Sequence, residues 1–115
     1  MRTQMRACLE VNTTSQAVMT EKFAHLLKKS TNLRLVFVSS GMAGIGFKLG
    51  NQSKSRKTAF TPHRASKAGL NMVMACYAVE LEDFGIKTFA YDPGFVVTDL
   101  WVRHRMSHGY ELMFT

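Results

Sequence analysis

The sequence predicts an α/β fold: part of a doubly wound parallel sheet, in the order helix, strand, helix, strand. Three observations predict it. Two short runs, 33–39 and 86–91, are rich in β-branched and aromatic residues. The first is continuous rather than alternating, the pattern of a strand buried on both faces of a parallel sheet. A helix long enough to be a crossover lies between them. Two strands joined by such a crossover in one sheet run parallel, with a right-handed connection.

Residues 5–29 read as the first helix. Met19, Phe23, Leu26 and Leu27 recur at helical spacing, and Lys28-Lys29 suit the negative end of the helix dipole. Within it, Asn12-Thr13-Thr14-Ser15 makes a poor helix interior, because these side chains compete for backbone hydrogen bonds. The cluster marks either a late N-cap or a local break. The strand 33–39 is followed by a glycine-rich turn, then by a polar stretch, 47–60, expected to be a loop that acts as a lid or insertion.

The long helix starts at Thr61-Pro62, with Thr61 as N-cap and Pro62 at the first helical position, and runs to Asp83 before Gly85 stops it. It carries two apolar stripes. Leu70, Val73, Tyr77 and Leu81 form one; Ala65, Ala68, Met72, Cys76 and Val79 form the other. Two such stripes call for two covered sides. One suits the sheet. The second requires another helix, in this chain or from a partner subunit. After the strand 86–91 the chain offers Trp101 and a mixed tail with no third strand and no internal repeat. The whole reads as one partial domain, 1–115.

Composition narrows the function classes. Hydrophobic residues make up 46% of the 115, as in ordinary globular chains. The net charge of +7 is dispersed over Lys28, Lys29, Lys54, Arg56, Lys57, Arg103 and Arg105, among others, and does not interleave with aromatics. That is a solvated surface, not a nucleic-acid platform. No apolar run reaches the length of a membrane span, and the basic start is followed by no continuous apolar core, so no secretory signal is expected. Cys8 and Cys76 lack metal-ligand spacing and are expected to be reduced core thiols of a cytoplasmic protein. No metal site is expected.

Sites in open parallel sheets form at the carboxyl ends of the strands. Ser40 lies just past one such end; Pro93 and Gly94 lie just past the other. His63 and Lys67, four apart at a helix start, share one face. The topology therefore brings all of them toward one edge. Ser40 to Gly46 superficially suggests a phosphate loop, but that motif must open a packed helix, and the polar residues that follow lack an apolar stripe.

Ser39-Ser40 after a strand, then His63-x-x-x-Lys67, then Pro93-Gly94-x-x-x-Thr98 is an order that resembles the catalytic half of a short-chain dehydrogenase/reductase. The resemblance spans about 11–100. It implies a Rossmann-type sheet and an NAD- or NADP-dependent oxidoreductase acting on a small-molecule alcohol or carbonyl. By resemblance Ser40 hydrogen-bonds the substrate oxygen. His63 stands where the family has a tyrosine that exchanges the proton. Lys67 tunes that acid and holds the nicotinamide ribose. Asn12, in a helix break, holds a water of the proton relay. Pro93, Gly94, Val96 and Thr98 contact the nicotinamide carboxamide and a nearby phosphate.

Two departures shape the expectation. Imidazole titrates near 6.5 where the family's phenol titrates near 10, and Lys67 and the helix N-terminus both disfavour its cation. No G-x-x-x-G-x-G precedes Asn12 in these residues. The expectation is a truncated oxidoreductase, impaired or inactive. The alternative is a non-catalytic module that forms a homodimer, or pairs with a full-length relative, through its long helices.

Overall fold

The computed structural model describes residues 1–51, 57–94 and 96. The expected cofactor residue Thr98 and the tail with Trp101 lie outside them.

The first helix forms and, as its polar cluster suggests, is locally broken. α1 (Arg2–Leu9) and α2 (Ser15–Leu27) are joined by a π-helical turn, Glu10–Thr14. The backbone stays in the right-handed helical region across both junctions, so the helix bulges rather than stops. Asn12 and Thr13 in the bulge turn their side chains onto the long helix. Asn12 Nδ2 donates to Ser66 Oγ (2.9 Å) and Thr13 Oγ1 donates to the Ser66 carbonyl (2.8 Å). Gly69 makes the crossing possible, since a Cβ there would stand 3.1 Å from Thr13 Cγ2 and Oγ1. Further along, the Tyr77 hydroxyl donates to the Ala17 carbonyl at 3.1 Å.

β1 (Arg34–Val38) and β2 (Lys87–Tyr91) pair in parallel, in register from Arg34↔Lys87 to Val38↔Tyr91. The long helix, α4 (Thr61–Glu80), is the crossover and packs on the sheet. A 3₁₀ turn, Glu82–Phe84, leads from it to Gly85. Phe37, Leu70, Leu81 and Ile86 form the buried apolar core, with Ala43 at one end. The Phe37 and Tyr77 rings stack with centroids 6.4 Å apart. Burying one such large side chain stabilises the fold by about 1.5–3 kcal/mol.

Four sequence expectations require correction. β1 is not buried on both faces among the described residues: Phe37 is buried, whereas Val36 and Val38 are 54% and 56% exposed. Their register partners Phe89 and Tyr91 are exposed too. The apolar pattern specifies two covered faces, and the described residues supply a helical layer for one. Thr61 is not the N-cap of α4. Phe60 holds that position in a left-handed conformation (φ 48°), and no side chain caps the helix. Arg64 secures this entry instead: its guanidinium donates to the Ala59 carbonyl and to Thr58 Oγ1, and its N–H donates to the Phe60 carbonyl. The stretch 47–60 is not loop from its start, because a short helix, α3 (Ile45–Leu49), runs into it. Finally, the cysteines are not core thiols: Cys8 is half-buried and Cys76 exposed.

The second stripe of α4 divides. Ala65 and Ala68 are half-buried, while Met72 and Val79 are 66% and 74% exposed, with Cys76 between them.

Candidate functional site

The carboxyl edge of the sheet is where the chemistry-bearing residues collect. The two serines after β1 have different fates. Ser39 continues the sheet ladder through its N–H to the Tyr91 carbonyl (2.7 Å), is buried, and donates its hydroxyl to Asn71 Oδ1. Ser40 is half-buried and caps the 3₁₀ turn Gly41–Ala43, its Oγ accepting from the Met42 N–H at 3.2 Å. That bond uses a lone pair and leaves the hydroxyl hydrogen to donate elsewhere.

His63, Lys67 and Asn71 lie at i, i+4 and i+8 on α4, one polar stripe on a helix otherwise apolar toward the sheet. Lys67 Nζ donates to the Val38 carbonyl at 2.8 Å, two residues before Ser40. This bond brings the ammonium to the end of β1. Burial lowers the Lys67 pKa. Burial also lowers that of His63, and the charges of Lys67 and Arg64 lower it further. His63 is therefore neutral at pH 7. Burial, the largest cause, was not visible in the sequence; the Lys67 contribution was.

Asn12 stands one layer behind. Its partner Ser66 is completely buried (0% exposed), and Ser66 Oγ in turn donates to the His63 carbonyl at 2.9 Å. The structure thus joins Asn12 to the backbone of His63 through Ser66. After β2, Pro93, Gly94 and Val96 are exposed. The Asp92 carboxylate joins this loop to the one after β1. It accepts from the Gly94 N–H (2.9 Å) and the Gly41 N–H (2.8 Å). No described bond ties Val96 to the rest.

Sequence reasoning missed Asn71, Ser66 and Asp92. The i+8 spacing from His63 could have found Asn71. Ser66 is legible only as a small polar residue in a buried helix face, and Asp92 only as a turn residue.

The donors at this edge are a hydroxyl, an imidazole N–H and an ammonium. They suit a carbonyl oxygen and ribose hydroxyls, so the nicotinamide end of a dinucleotide fits them. The pyrophosphate end does not find its partner in these residues: the glycine-rich stretch opens only the five-residue α3, whose Ile45 and Leu49 are exposed. Among the described residues no helix is long and apolar enough to cross a membrane.

The family model described as short chain dehydrogenase matches residues 1–108. The short-chain dehydrogenase/reductase tropE of Talaromyces stipitatus is 32% identical over 87% of this chain and 42% of its own length. The short-chain dehydrogenase/reductase eupG of a Phoma species is 39% identical over 79% of this chain and 37% of its own length. The short-chain dehydrogenase anuI of Penicillium roqueforti is 38% identical over 86% and 41%. The chain thus spans about two fifths of the length of these curated relatives. No solved structure matches it.

Proposed function

This chain belongs to the short-chain dehydrogenase/reductase family, and from that premise we propose that it carries the proton-handling half of an NAD(P)-dependent alcohol or carbonyl oxidoreductase site. The observation that carries the reading is the 2.8 Å bond from Lys67 Nζ to the Val38 carbonyl. It holds a cation at the end of β1, two residues before Ser40 in sequence, from the helix face that also carries His63. Ser40 donates its hydroxyl to the substrate oxygen. Lys67, with donors beyond the one given to Val38, holds the ribose hydroxyls. Pro93, Gly94, Val96 and Thr98 line the nicotinamide side by family resemblance. The nicotinamide, when bound, supplies or accepts the hydride. Asn12, through Ser66, steadies the turn of α4 that carries His63.

His63 weakens the reduction direction. A neutral imidazole donates a hydrogen bond well but releases its N–H proton poorly, because the product is an imidazolate. In the oxidation direction the same neutral ring accepts a proton, although Lys67 and burial oppose the resulting cation. Restoring the family's phenol is the test. In the protein supplied with a nucleotide-binding half, His63→Tyr raises carbonyl reduction by about 10²–10⁴-fold, the usual contribution of a positioned general acid. Equal rates for the two proteins would refute the assignment of His63.

The free cysteines, one exposed, suit the reducing cytoplasm. A second reading has its own observation: the exposed Met72, Cys76 and Val79 on α4 and Val18, Met19, Phe23 and Leu26 on α2. These apolar helix surfaces suit pairing with a second copy or with a full-length relative.

A further inference from the structure

We propose that Asp92 is a positioning residue, a two-sided clamp that joins the loop after β1 to the loop after β2 and holds the Ser40 turn against the Pro93-Gly94 backbone. This rests on the reading above for its consequence, but the clamp itself stands on geometry. Backbone pairing between the strands ends with the Ser39 N–H on the Tyr91 carbonyl. One residue further on, the chains diverge into separate loops. There the Asp92 side chain continues the pairing. Oδ1 accepts from the Gly94 N–H at 2.9 Å, a local turn closing on its own loop; Oδ2 accepts from the Gly41 N–H at 2.8 Å, across the sheet.

A carboxylate is the one common side chain that offers acceptors on both oxygens. Asparagine can accept on one side only and would turn an N–H₂ toward the other N–H. The geometry also needs glycine at position 41. A Cβ there would stand 2.8 Å from Asp92 Oδ2 and, among the described residues, would meet nothing else besides Asp92 Cγ within 4 Å. Arg64 completes the hold on the same turn, its Nη1 donating to the Met42 carbonyl at 3.2 Å. The turn that Ser40 caps is thus fixed from β2 on one side and from α4 on the other.

The test is a spectroscopic one that does not need turnover. In the full chain, or in its natural assembly, the Gly41 and Gly94 amide resonances are followed through an acid titration. The expected result is that both move in one concerted transition, and that both lose it in Asp92→Asn. Amide exchange at Gly41 and Gly94 then rises about tenfold or more in Asp92→Ala, as hydrogen bonds to charged groups are lost. The second arm is a double-substitution cycle. Gly41→Ala lowers the melting temperature of the wild type, and has no further effect in Asp92→Ala, because the carboxylate it strikes has gone. Independent titration of the two amides, or strictly additive melting shifts, would overturn the clamp. A concerted titration in a protein whose His63→Tyr form, supplied with a nucleotide-binding half, reduces carbonyls no faster than its His63 form would leave the clamp standing and refute the function proposed above.

Discussion

Replacing Ser66 by alanine tests the link between the bulged helix and the site. Ser66 is completely buried, its Oγ accepts from Asn12 Nδ2 and donates to the His63 carbonyl, both at 2.9 Å. Alanine removes both bonds. The Asn12 bond is worth about 1 kcal/mol, and leaving that half-buried amide short of a partner adds about 1 more. The back-bond to the helix carbonyl is worth less, about 0.5 kcal/mol, since that carbonyl keeps its helical N–H. Alanine recovers about 0.5 kcal/mol of helix propensity. Lost bonds win, and the net cost is about 2 kcal/mol. For a chain of this size that lowers the melting temperature by about 8 °C. Denaturant unfolding of wild type, Ser66→Ala, Asn12→Ala and the double variant supplies the assay. Because both single changes remove the same bond, the double variant should be less destabilised than their sum by at least about 0.5 kcal/mol. A Ser66→Ala protein within about 0.5 kcal/mol of wild type would refute the reasoning, as would strict additivity.

Acid should destabilise the fold through His63. Its pKa in the fold is lowered, so the unfolded chain binds the proton first. Stability is therefore full above about pH 6.5 and falls as pH drops below that value toward the lowered folded pKa; the unfolding midpoint of wild type should fall relative to that of His63→Gln as pH drops through that window, and parallel curves would contradict this. The described residues build no pyrophosphate site, so the chain by itself should show no saturable NAD(P)H binding at micromolar concentration, and a micromolar dissociation constant by calorimetry would contradict this. Val36, Val38, Phe89 and Tyr91 leave one sheet face bare, and Met72 and Val79 leave a helix face bare. A two-stranded sheet with such faces is a weak scaffold. The isolated chain should therefore associate, and light scattering from a monodisperse, cooperatively unfolding monomer would rule that out.

The sequence by itself determined the order of elements and the direction of the strands. Apolar runs of strand length on either side of a long helix leave little else possible, and the crossover rule makes them parallel. Pro62 and Gly85 placed the long helix to within a few residues because both act on the backbone locally, although the expected end at Asp83 was wrong: α4 closes at Glu80 and a 3₁₀ turn, Glu82–Phe84, fills the gap to Gly85. The polar cluster at Asn12 marked a break for the same local reason. The approach of Lys67 to the end of β1 and the meeting of the loops that carry Ser40 and Pro93 were legible too, since topology and a four-residue helical spacing place them.

Tertiary structure decided what depends on neighbours distant in the chain. Two adjacent serines are alike in sequence; only the approach of Asn71 locks Ser39 and leaves Ser40 with a hydroxyl to give. Thr61 has the chemistry of a cap, yet Arg64 binds the preceding residues, Phe60 takes the N-cap position and Thr61 becomes the first helical residue. A continuous apolar strand does not say which of its faces this chain covers. Burial, the larger cause of the His63 shift, and the meeting of Gly41 and Gly94 on one carboxylate arise only when separate segments pack together.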